Sequence, residues 1–212
     1  MTGDPFIVIA GRKLTVDEAA KRICLYQRQT KNTVDKYDLP GPGDPSKLTL
    51  EEVVRTRIVK SRISNLEAAW FVETAKKVRW PPPQADLRDA DPAVRGGLYD
   101  DMNACYQYFW EKRQPGVGIG KISKVLYVKQ PAAYPILDSR VTAFYRDAAK
   151  RAAADYPALG HKKLFWAAIR ADLIANTDSD ALRKLRARLN SSELERYTRL
   201  TDLRLMDILT WG

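Results

Sequence analysis

A chain of 212 residues with 45% hydrophobic residues is long enough for one good-sized domain or two small lobes. Its 36 lysines and arginines exceed its 26 acids by 10, a balance that favours nucleic acid or another anionic partner. Two cysteines and one histidine exclude a four-cysteine iron–sulfur cluster and His-rich metal sites and argue against a Ser-His-Asp triad; no run of 18 apolar residues suggests a membrane span.

The opening M-T-G-D-P-F-I-V-I-A has no basic segment and too short an apolar run for a signal peptide, so a cytoplasmic location is expected. P-F-I-V-I-A-G-R-K-L reads as a short extended piece or tight hairpin. Thr15-Val16-Asp17-Glu18 is a capping box, and three-and-four spacing of apolar residues carries a helix to about Tyr37. Leu39 to Pro45 holds three prolines and two glycines and is a loop. Thr49–Glu52 and Ser64–Glu67 are further capping boxes, opening helices to about Ile63 and Val78. Trp80-Pro81-Pro82-Pro83 is a stiff linker, and Asp91-Pro92 begins another helical region. Leu98 to Lys112 is helical and rich in aromatics.

A turn over Gln114–Gly120 then leads into a helix ending near Gln130, and Pro131 and Pro135 keep the next stretch extended. Ser139–Tyr156, Lys163–Asn176 and Ser179–Leu189 are helical, and Ser192–Glu195 caps a last helix ending near Trp211. Cys24 and Cys105 fall inside helical patterns and read as buried thiols. The expected fold is all-α, with an N-terminal helical part over about 15–98, a central part over about 99–156 and C-terminal helices over about 163–211.

The stretch Gly116 to Val141, G-V-G-I-G-K-I-S-K-V-L-Y-V-K-Q-P-A-A-Y-P-I-L-D-S-R-V, contains the chemistry. Gly116, Val117, Gly118 and Gly120 form a flexible turn opening a helix, where free N–H groups and the positive helix end suit a phosphate. Between Glu111 and Asp138 there is no acid, while Lys112, Arg113, Lys121, Lys124 and Lys129 all lie there. Lys121 and Lys124, three apart, lie on one helix face and point to flanking phosphates. The bland alternative is an ordinary loop with solvated lysines. Anion binding beside one isolated carboxylate is what hydrolysis on a nucleic acid requires. Arg55, Arg57, Lys60 and Arg62, like Arg183, Lys184, Arg186 and Arg188, read as solvated helix faces.

These residues resemble the helix-hairpin-helix DNA glycosylase superfamily, whose hairpin has the form G-V-G-x-x-T-A-x-x-x-L and is followed by an aspartate in D-[TS]-x-[VI]. Gly116-Val117-Gly118 matches the turn, Ser123 to Leu126 falls on the second hairpin helix, and Asp138-Ser139-Arg140-Val141 matches the aspartate motif at an offset of 22 residues. The resemblance covers about residues 99 to 146. The rest of the chain resembles an actinobacterial branch sharing this core without the iron–sulfur cluster.

The resemblance implies two helical lobes with the hairpin at the cleft between them. It implies DNA binding through Gly116, Val117, Gly118, Gly120, Lys121, Ser123, Lys124 and Arg140, with no membrane partner. It implies hydrolysis of the N-glycosidic bond of a damaged or modified base by a monofunctional glycosylase with Asp138 as the catalytic carboxylate. Asp138 is equally a natural N-cap for the helix that follows, and the two roles are compatible. Members that also cut the strand carry a lysine two residues after the second glycine; here that position is Gly120, so no lyase activity is expected. Arg140 stands where histidine is frequent and reads as either a salt-bridge partner or a DNA contact. No cofactor and no side-chain metal site are expected, apart from a monovalent cation at the hairpin backbone.

A flipped base needs flat side chains, for which Tyr37, Trp70 and Trp80 are the candidates; Tyr106, Phe109 and Trp110 have the spacing of a core. A non-enzymatic DNA-binding module on the same scaffold is the alternative reading. A protein whose basic surface meets an acidic partner is the third.

Overall fold

The computed structural model describes residues 5–211; the first four residues of the stretch read for a leader, and Gly212, lie outside them. The elements run β1 (Ile7–Ile9), β2 (Arg12–Leu14), α1 (Val16–Thr30), α2 (Leu50–Arg55), α3 (Asn65–Ala75), α4 (Leu98–Glu111), α5 (Ile119–Lys129), α6 (Ser139–Phe144), α7 (Arg146–Asp155), α8 (His161–Asp178), α9 (Ala181–Asn190) and α10 (Asp202–Leu209). A π-helical turn at Val34–Asp38 and 3₁₀ turns at Thr56–Val59 and Glu195–Arg199 supplement them. The fold is mainly α, about 60% helix. It forms two compact units, one of residues Met1–Asn32 with Arg140–Gly212, the other of Thr33–Ser139.

In the first unit the extended N-terminal segment is a hairpin with Val8 opposite Lys13, closed by Ala10 and Gly11 at φ of 50° and 80°. Two consecutive positive φ values match the right-handed strand twist. The hairpin is held to α8 by polar side chains. Asn176 accepts from the Val8 N–H at 2.6 Å and donates to its carbonyl at 2.7 Å, and Asp172 accepts from the Ala10 N–H at 2.5 Å. Edge-strand groups that would otherwise be buried unpaired are thereby satisfied. α1 buries Ala19, Ala20, Ile23 and Tyr26, one face of a 3.6-residue period, and packs on α9 and α10. α7 packs along α8.

In the second unit α3, α4 and the proline linker converge on a core around Phe71 and Phe109, both fully buried. Gln130 donates to the carbonyls of Pro81 and Pro82 at 2.8 and 3.0 Å, which fixes the linker. α4 packs on α5, and α5 on α2.

Three of the four expected capping boxes form, at Thr15, Thr49 and Ser64, each with reciprocal hydrogen bonds to a glutamate three residues on. The fourth does not. Ser192 accepts from the Leu194 N–H within a turn, and the last helix starts later, capped by Thr201. α1 stops at Thr30 because Lys31 turns to φ 49°, short of the expected Tyr37. The segment after Asp91-Pro92 is turns up to Leu98, with Gly96 at φ 66°. The expected helix over Ser139–Tyr156 breaks at Tyr145 into α6 and α7.

Candidate functional site

α4 and α5 are packed neighbours joined by a short turn. Tyr106 and Phe109 on α4 and Ile122, Val125 and Leu126 on α5 are buried, which holds the two helices at a fixed separation. Val117 is the turn's anchor: its side chain is buried and its N–H donates to the Gln114 carbonyl at 3.1 Å. Gly116 takes φ 85°, a conformation that a β-carbon disfavours. Gly118 is the extended N-cap of α5. No side chain caps this helix among the described residues, and its first turn holds no acid. The N–H groups of its first turn are therefore left without a side-chain cap at the positive helix end, and the nearest carboxylate is that of Glu67, which would lie 3.4 Å from a β-carbon at Gly116. A β-carbon at Gly118 would meet nothing within 4 Å, so the space beside the helix N-cap is open. The carbonyls of Pro115, Gly116 and Val117 accept no hydrogen bond among the described residues and are the donor atoms available to a cation at the turn.

Asp138 is brought to this turn by Ser123. The Ser123 hydroxyl accepts from the Leu137 N–H at 3.0 Å and donates to the Gly120 carbonyl at 3.3 Å. A β-carbon at Gly120 would lie 3.7 Å from the Leu137 carbonyl oxygen and 4.0 Å from the Asp138 Cα. The backbone of Leu137–Asp138 thus runs alongside the first turn of α5, and half-buried Asp138 stands immediately before α6. Ser123 is itself buried and acts as this strut, in place of the expected DNA contact.

The lysines of α5 depart most from expectation. Lys124 is buried and its ammonium donates to the Val59 carbonyl at 2.9 Å, so it does not reach a phosphate. Lys129, also buried, donates to the Asp44 carbonyl and lies 3.2 Å from Glu52. Lys121 pairs with Glu67 at 2.5 Å, both side chains mostly buried. Burial raises the Glu67 carboxyl, but hydrogen bonds from Lys121 and the Ser64 N–H outweigh it and hold the group below the usual glutamate range.

Of the five cations between Glu111 and Asp138, only Lys112 and Arg113 remain exposed, and Arg113 lies 3.8 Å over the Trp110 ring. From Ile122 to Lys129 every residue of α5 is buried, as in a helix surrounded on all sides, and the glutamates of two capping boxes supply anionic partners.

The aromatic candidates are also structural. Tyr37 is buried, stacked on Tyr127 at 5.5 Å, with its hydroxyl donating to the Lys124 carbonyl at 3.2 Å, so it is not a base-stacking surface. Trp70 and Trp80 are half-buried and both pack against Phe109, at 6.3 and 5.9 Å between ring centres. Arg140 is exposed, lies 4.5 Å over the Trp211 ring and donates to the Trp211 carbonyl at 3.3 Å. These contacts make it a cation–π partner of Trp211.

No cluster of three His, Cys, Asp or Glu side chains able to hold a metal occurs among the described residues, and no helix among them is long and apolar enough to cross a membrane. No curated protein and no solved structure matches the chain. The model of one family matches residues 26–212, and on that match the chain belongs to DUF6308, a family of unknown function.

Proposed function

We propose that this chain binds DNA through the backbone of the Gly116–Gly120 turn and hydrolyses the N-glycosidic bond of a damaged or modified base at Asp138, on the plan of the helix-hairpin-helix glycosylases. One observation carries the reading: the uncapped first turn of α5 and the Asp138 backbone are fastened side by side through Ser123 and the bare face of Gly120. A phosphate received by the α5 amides places the adjoining sugar within reach of one carboxylate.

The chemistry needs little more. The C1′–N bond breaks with its electron pair leaving on the base, and positive charge builds on the sugar. Asp138 offsets that charge, and water adds to C1′ as its proton passes to the carboxylate and on to the departing base. A side chain at position 120 would project against Leu137 and Asp138. That is the direction an amine nucleophile would take, and glycine leaves only the hydrolytic route. A monovalent cation bridging the free turn carbonyls to the phosphate belongs to the same reading.

A second reading, a non-enzymatic DNA-binding module on this scaffold, is favoured by the packing of Tyr37, Trp70 and Trp80 against other aromatics. The test is a set of duplexes bearing uracil, alkylated, oxidised or hypermodified bases, read for binding and for free base. Release of a base with an alkali-labile, uncut strand supports the glycosylase. Binding without release from any duplex gives the second reading first place. Gly118→Asp serves as the binding control: it fills open space, favours the helix cap and sets a negative charge where the phosphate would sit. Undiminished DNA affinity in that variant would remove the turn from the interface.

A further inference from the structure

The formal charge is unequally divided. The unit of residues 1–32 and 140–212 has 20 lysines and arginines against 12 acids, and the unit of 33–139 has 16 against 14. Of the net +10, the difference 20 − 12 = +8 therefore lies in the unit that lacks the glycine turn. Much of this excess is engaged. Arg183, Arg186, Arg188 and Arg204 pair with Asp180, Asp202, Asp17 and Asp207. Arg12 lies over Phe144 and Arg140 over Trp211.

One cationic surface flanks a groove. A groove of about 490 Å³ opens between α7 and the start of α8, floored by Ala149 and Leu164 and edged by Arg146, Lys150 and His161. Arg146 and Lys150 are exposed and four residues apart, on one face of α7. Arg146 makes no ion pair among the described residues, and Lys150 has only exposed Asp147, at 3.5 Å. The facing end of α8 adds like charge, since Lys162 and Lys163 follow His161 in a first turn with no acid and no side-chain cap.

We infer that this groove is a second contact for DNA phosphates, made through Arg146 and Lys150. The inference rests on the reading that DNA is the partner. The two surfaces then act differently. The turn offers backbone amides and no free α5 lysine, so it positions a phosphate. The groove offers side-chain cations, which displace counterions and set the salt dependence.

The test is duplex affinity across a salt series for the full chain, for Arg146→Gln with Lys150→Gln, and for a control of equal charge, Lys21→Gln with Arg28→Gln on α1. Each phosphate neutralised contributes about −0.9 to the slope of log affinity against log salt, so the groove variant should lose nearly 2 from that slope. Its affinity at low salt should fall at least about tenfold, alike on every sequence, while the α1 control keeps most of both. All four positions are exposed, and an unchanged urea midpoint verifies the fold. A groove variant that binds as the wild type does at every salt concentration overturns the inference and leaves DNA binding intact. Equal loss in the α1 control also overturns it, by making the effect one of net charge. A wild type that binds no DNA overturns the underlying reading as well.

Discussion

Replacing Lys129 by methionine tests whether the α5 lysines serve the fold or the ligand. The ammonium lies 3.2 Å from Glu52, with the two side chains 1% and 7% exposed. Removing one member of a buried pair strands the other, at a cost of about 3–5 kcal/mol. Glu52 keeps the N–H groups of Gly43 and Thr49, at 2.9 and 2.8 Å, which puts the expected loss near the low end, about 3 kcal/mol. For a chain of this size that lowers the melting temperature by roughly 6–12 °C.

Burial raises the Glu52 carboxyl, yet the hydrogen bonds from Thr49, Gly43 and Lys129 outweigh it and leave the group below its ordinary value of 4.5. A depressed carboxylate stabilises the fold above that ordinary value, and the contribution is lost as pH falls through the lower folded value. The gap between wild type and Lys129→Met should therefore narrow in acid. Adding Glu52→Gln removes the stranded charge but keeps only one of the two acceptor oxygens that serve Gly43 and Thr49, so the double variant should recover part of the loss. Urea denaturation at pH 7 and pH 3, with the DNA salt slope measured alongside, reads all of this. A Lys129→Met protein with an unchanged midpoint and weakened DNA binding would refute the inward placement of the lysine.

Asp172→Asn should raise the melting temperature at pH 7 by a few degrees and leave it unchanged at pH 3, read by a thermal scan at each pH. Burial pushes the Asp172 carboxyl up, so its stabilising state is complete in acid and is lost as pH rises through the folded value, while asparagine keeps the acceptor for Ala10. Native thiol labelling at pH 8 should modify Cys24 alone, because burial pushes the Cys105 thiol up to about 12; modification of Cys105 without denaturant would contradict its burial. Borohydride should trap no covalent protein–DNA adduct, since Gly120 has no amine and Lys121 is paired with Glu67; an adduct would identify a nucleophile outside this account.

The helices were legible where local signals are strong. Capping boxes at Thr15, Thr49 and Ser64 mark real helix starts because a hydroxyl and a carboxylate satisfy each other's neighbouring N–H groups. Ser192 shows the limit, since the same pattern also fits a turn and only tertiary packing decides. The α4–α5 turn was readable from Gly116, whose positive φ is what its glycine signals. The destination of long side chains was not. Lys121, Lys124 and Lys129 look like an electropositive patch in one dimension, but their partners lie 54, 65 and 77 residues away on elements that folding brings beside α5. Tyr37 likewise follows a helix end in sequence and stacks in the core through Tyr127. Arg146 and Lys150 are illegible for the opposite reason: two ordinary helix cations acquire meaning only when α8 closes a groove against them.

The most direct measurement is single-turnover base release by wild type and Asp138→Asn on whichever duplex the wild type processes. Asparagine caps a helix about as well as aspartate, so stability and DNA affinity should hold. It cannot offset the charge that builds on the sugar, and losing such a group costs about 3 kcal/mol or more, roughly a hundredfold or greater in rate. The account predicts a stable variant that binds the duplex and releases base at least about a hundredfold more slowly. Full base release by Asp138→Asn would contradict it and leave Asp138 as part of the scaffold alone.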